Sequence, residues 1–179
     1  MTILIHRSTM RFRKNIIKEG LTWRYRSGIA SLNDIKSEND VSTNEINFIL
    51  NQYKPYNKYP SNQIDRHKCI FMTLKDDNIP TDNYRDLLIS IDSNFLDYKK
   101  LFVAPFILVN QIVYGLIEKY SVDKLDLIAK HYWNNCFSFS DYINNQKIIN
   151  NVFERVYNIK YIPEVLYMSE IDPNCFEVI

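Results

Sequence analysis

His6, Ser8 and Thr9 fall together at the end of a short apolar run, Ile3-Leu4-Ile5. A histidine next to a serine is the pairing a hydrolase would use, but the chain has no GxSxG elbow and no third residue that would orient the imidazole. The same His6 serves equally well as a hydrogen-bonded structural histidine or as a ligand contact. His67 and Cys69 are two apart, so on a strand they would share a face and could pair as imidazolium and thiolate; a buried, inert cysteine is the other reading. Glu164 directly follows Pro163 in a strand-like run, where it is either a solvated edge residue or a carboxylate held for chemistry. Arg24 and Arg26 alternate with Trp23 and Tyr25, which gives a strand with an arginine face, wet or turned toward an anion.

Other chemistries lack their residues. Three histidines far apart, and three cysteines (Cys69, Cys136, Cys175) at wide spacing, provide neither a zinc knuckle nor a disulfide framework, so no metal site is expected and a reducing compartment is the simplest setting. Asp76-Asp77 and Asp123/Asp126 supply carboxylates at no spacing that demands a metal. Three glycines exclude a P-loop and a GxGxxG turn, both of which need glycine to let backbone approach phosphate.

The elements that would position these groups fit one α+β domain over residues 1–179. Apolar residues make up 46% of the chain and aromatic ones 14%, enough to bury a core and to exclude global disorder. Lys and Arg number 22 against 21 Asp and Glu, a net charge of +1 that gives no support to nucleic acid as the main partner, though a local basic patch stays open. The N-terminal apolar run is too short for a signal peptide and no stretch is long enough to span a membrane, so a cytoplasmic protein without a membrane partner is expected.

Along the chain, residues 2–6 read as a buried strand, and Thr9 as the cap of a helix that ends at Gly20. Thr22 to Ser27 reads as a strand. Ser42-Thr43-Asn44-Glu45 matches a capping box ahead of a helix over 43–53. The Tyr-rich stretch 53–63 reads as a surface loop, and strands are expected at 68–74 and 87–91. Apolar spacing predicts helices over 106–119 and 122–133, packed as a hairpin. Val152–Ile159, Glu164–Tyr167 and Cys175–Ile179 read as short edge strands punctuated by Pro163 and Pro173.

Both ends of the chain carry a resemblance. Ile3-Leu4-Ile5-His6-Arg7-Ser8-Thr9, followed by a helix and Lys18-Glu19-Gly20-Leu21, resembles the opening of ADP-ribosyltransferase-fold proteins. Tyr161-Ile162-Pro163-Glu164-Val165-Leu166, then Ile171-Asp172-Pro173-Asn174-Cys175-Phe176, is similar to the close of DarT-type and related bacterial toxin enzymes. Arg66 to Thr73 sits where that family has its second strand pair, and Asp92 to Val103 is similar to a further segment of its members. The resemblance implies a split, twisted antiparallel β core with a helical hairpin insertion around 106–135 and NAD, as substrate, in the cleft between the halves. It implies that His6 hydrogen-bonds the adenosine-side ribose with Ser8 helping to hold it, that Thr9 is a further NAD-binding residue, that Phe71 stacks on nicotinamide, and that Arg66 or Arg24 pairs with the pyrophosphate. Glu164 would bind the nicotinamide ribose and stabilise its oxocarbenium-like charge as nicotinamide leaves. ADP-ribose would then pass to a macromolecular acceptor, protein or nucleic acid. The competing expectation is a protein of the same fold that binds a partner, of immunity or anti-defence type, and catalyses nothing; a third is an NAD hydrolase.

Overall fold

The computed structural model describes residues 2–23, 41–75 and 86–179. Seven strands form one open antiparallel sheet: β1 (Ile3–Ser8), β2 (Ile70–Leu74), β3 (Leu87–Asp92), β4 (Leu101–Pro105), β5 (Phe137–Ser138), β6 (Pro163–Tyr167) and β7 (Phe176–Val178), in the order β5-β4-β6-β2-β1-β3-β7. Among the described residues five α-helices accompany them: α1 (Arg13–Glu19), α2 (Thr43–Gln52), α3 (Phe106–Ile117), α4 (Val122–Asn134) and α5 (Phe139–Tyr157). The architecture is therefore α+β, and the helical hairpin expected around 106–135 is present as α3 and α4.

Local chemistry explains most boundaries. Ser42 accepts from the Glu45 N–H, the capping-box bond that starts α2. Thr9 has the extended conformation of an N-cap, yet its side chain makes no capping bond, and the residues after it form a short 3-10 turn (Met10–Phe12) before α1. Gly20 ends α1 at φ 87°, ψ −177°, a region essentially closed to side chains, and a Cβ there would lie 2.3 Å from the Ile171 carbonyl oxygen. That close approach allows Leu21 and Ile171 to exchange backbone bonds of 2.9 Å, tying the end of α1 to the segment before β7.

Three expectations are corrected. Val152–Ile159 is not a strand: it is the last turn and a half of α5 and the exit from it, because Phe139, Tyr142 and Phe153 recur at helical spacing and bury on one side. Ser138 starts that helix by accepting from Asp141 N, and Asn158 closes it in the left-handed region. Glu164–Tyr167 is not at an edge: β6 is paired on both sides, by β4 and by β2, and all five of its residues are buried. Pro163 tolerates this place because it is the first residue of the strand. His67 does not share a strand face with Cys69, since Arg66–Lys68 is a 3-10 turn that precedes β2. β4, with all five residues buried, had no counterpart among the expected strands. Of the expected strand at 22–27, residues 24–27, with Arg24, Tyr25 and Arg26, lie outside the described residues, as do Asp76 and Asp77.

Candidate functional site

Glu164, Phe71 and His6 lie on three consecutive strands, β6, β2 and β1. Directly paired residues of antiparallel strands share a face and faces alternate along each strand. Phe71 pairs with Leu166, so Phe71, Leu166 and Glu164 share one face, together with Ala104, the partner of Glu164 on β4. Ile5 pairs with Thr73, which puts Ile5 and Arg7 on that same face and Leu4, His6 and Ser8 on the other.

On the Glu164 face, α2 and α4 close over the sheet, joined by a bond from Trp133 Nε1 to the Leu50 carbonyl of 2.7 Å. Two polar side chains meet the carboxylate there, Tyr132 from α4 and Arg66 from the 3-10 turn before β2. Arg66 reaches Glu164 through Nη1 to Oε1 at 2.5 Å and Nη2 to Oε2 at 3.5 Å. The Tyr132 hydroxyl donates to Oε1 at 2.7 Å while accepting from Arg66 Nη1. Arg66 Nε is taken by Asn47 Oδ1 at 3.1 Å, and the backbone N–H of Arg66 by Asn51 Oδ1. The guanidinium also lies over two rings, Phe71 at 4.8 Å and Tyr132 at 5.0 Å to the centroids. Glu164 is only 5% exposed.

Charge balance follows from this packing. Burial alone would lower the pKa of Arg66, but the Glu164 carboxylate outweighs it with help from Tyr132, and the guanidinium is held cationic more firmly than a free one. Burial raises the Tyr132 phenol well above its ordinary range despite the opposing pull of Arg66, so it stays a donor. Cys136 is pushed up in the same way, first by burial and then by Glu164, and is an inert thiol.

His6 attaches to this cluster through backbone. Its Nδ1 donates to the Phe71 carbonyl at 2.8 Å, which fixes the proton on Nδ1 because a carbonyl only accepts. The bond lies just past the last β1–β2 pairs, Leu4 with Leu74 and Ile5 with Thr73, so the imidazole continues the junction between two strands where their ladder stops. Ser8 is buried at the end of β1. Thr9 is half-buried one residue further and contacts neither Glu164 nor Phe71 through any hydrogen bond.

The structure thus gathers Arg66, Phe71 and Glu164 in one contact cluster, while His6 and Ser8 lie on the opposite sheet face, His6 bonded to the Phe71 carbonyl, and Thr9 lies beyond the strand. Tyr132 and Asn47 were missed by sequence reasoning. Both sit on the buried stripes of amphipathic helices, and an Asn or Tyr at an apolar-stripe position opposite a single buried charge was the available signal. Among the described residues, no group of His, Cys, Asp and Glu is placed to hold a metal ion, and no helix is long and apolar enough to cross a membrane. Comparison of the chain with protein-family models, with curated protein sequences and with solved structures finds no match.

Proposed function

We propose that the protein is an NAD-dependent ADP-ribosyltransferase. The observation that supports the reading is that Phe71 and Glu164, distant in sequence, share one sheet face around a buried, ion-paired carboxylate, while His6, on the next strand and the opposite face, is bonded to the Phe71 carbonyl. In this chemistry the bond between the ribose carbon and nicotinamide breaks, and its electron pair leaves with nicotinamide. An acceptor nucleophile then bonds to that carbon and loses its proton. Glu164 is the catalytic anion that offsets the positive charge developing on the ribose, and Arg66 and Tyr132 are positioning residues that hold it in place. Phe71 retains the π-face of an aromatic platform. Arg66 spends its donors on Glu164 and Asn47, so a pyrophosphate has to be met by other cations.

The test is incubation of the purified protein with NAD and cell lysate, following free nicotinamide and the transfer of label to protein and to nucleic acid. Nicotinamide release that is lost in Glu164→Gln and in Phe71→Leu, with both variants folded by circular dichroism, is the expected result. Absence of release, with no calorimetric binding of NAD by the wild-type protein, overturns it. A second reading then takes its place, that of a partner-binding protein. It is favoured by the engagement of both Glu164 oxygens in internal bonds, and by the exposed Tyr56 and Tyr59 in the loop after α2.

A further inference from the structure

Arg7 presents a different problem from Arg66. It lies on β1, on the sheet face shared by Phe71 and Glu164, and its Nε and Nη1 are shielded from solvent with no hydrogen-bond partner. Two residues on, the extended Thr9 puts its side chain on the same side of the chain, and its Oγ1 is likewise shielded and unpartnered, having declined the capping role its position offers. A guanidinium is cationic, and donor atoms shielded from water without a partner are unfavourable. Arg7 makes no ion pair with Asp86, the carboxylate that reaches this corner; its Oδ1 accepts instead from the Met10 N–H at 2.8 Å. The surroundings reinforce the sign. Arg7, Arg11, Arg13, Lys14 and Lys18 fall in the first 18 residues, which contain no Asp or Glu.

We propose that Arg7 and Thr9 form an anion-binding site for a phosphate or diphosphate group. Nε and Nη1 lie on different edges of the guanidinium, so each donates singly to an anion oxygen, and the hydroxyl supplies a further donor about 6.6 Å along the strand. Both residues are half-buried, so the shielded donors sit just beneath the surface, and an anion meets them once the two side chains turn outward. The site stands whether or not NAD is the substrate.

The experiment is calorimetric titration of the full chain with inorganic pyrophosphate at low salt, for wild type, Arg7→Gln, Thr9→Val and the control Arg13→Gln. The expected result is binding that weakens by about tenfold or more in Arg7→Gln, by less in Thr9→Val, and not in Arg13→Gln. A second readout needs no ligand. Arg7→Met removes a charge that has no partner, so without anion its melting temperature rises or holds, while the stabilisation by pyrophosphate disappears. No binding by wild type up to about 10 mM, equal binding by Arg7→Gln, or a large loss of stability in ligand-free Arg7→Met each overturns the proposal. ADP added to the pyrophosphate complex names the source: displacement assigns a nucleotide diphosphate, and retention assigns the free anion, with the site upheld in either case.

Discussion

Arg66 and Glu164, 98 positions apart in the chain, meet edge to edge beneath α2 and α4, with side-chain exposures of 3% and 6%. A pair so placed adds little over apolar residues of equal volume, because desolvation offsets most of the attraction, yet breaking it strands one charge. Arg66→Met and Glu164→Gln should each cost about 3–5 kcal/mol. The double variant should cost much less than the sum, and urea denaturation of the four proteins in a mutant cycle measures the difference.

Tyr132 ties that pair to α4. Tyr132→Phe keeps the ring under Arg66 and removes only the hydroxyl, which donates to Glu164 at 2.7 Å. The expected cost is about 1–3 kcal/mol, read from the same denaturation curves. If the transferase reading holds, this variant also lowers kcat with KM unchanged, since it loosens the anion rather than the binding surface.

Alkaline conditions should weaken the fold. Burial, with Glu164 second, raises the Cys136 thiol above its ordinary 9.0, and burial raises the Tyr132 and Tyr161 phenols above their ordinary 10.0. The unfolded chain therefore releases protons at a lower pH than the native one. The stability these groups contribute is complete below about pH 8.5 and falls as pH climbs through the thiol range and then the phenol range. Melting temperatures at pH 7, 9 and 10.5 should decline in that order, and Cys136→Ala should flatten the first part of the decline.

Gly20→Ala should destabilise by about 1–3 kcal/mol, because it combines a disallowed backbone region with a Cβ driven against the Ile171 carbonyl. Hydrogen exchange at Leu21 and Ile171, whose amides bond each other's carbonyls, should quicken together.

How much of this was legible in the sequence depended on whether a signal was local. The Ser42 cap, the Gly20 stop and the α3–α4 hairpin follow from residues within a few positions of one another, and the structure has all three. α5 was misjudged at its end because Val152, Val156 and Ile159 favour strands by type, while the contacts that decide the matter, such as Phe153 edge-on to Tyr161 at 5.0 Å, come from outside the segment. Pro163 and Glu164, both edge-like residues, predict an edge strand for β6. Its central place depends on β4 and on Arg66, Tyr132 and Asn47, none of which a window around residue 164 contains. Glu164 itself was identified as a candidate, but its partners were not, since three elements that meet only in the folded chain supply them.

The position of β6 also sets a schedule. It lies between β2 and β4 but is made after both, some 90 residues after β2 and 58 after the end of β4. Until residues 163–167 emerge, those two strands face an empty slot, each with a bare row of amides, and Arg66 has no counter-charge. β7 joins later at the rim, but the two parts of the sheet are united only by inserting β6 between two waiting strands. Such an order places the costliest loop closures at the end of folding and leaves two sticky edges open during synthesis. The strand that carries the carboxylate is therefore also the one that joins the two parts of the sheet and covers both open edges.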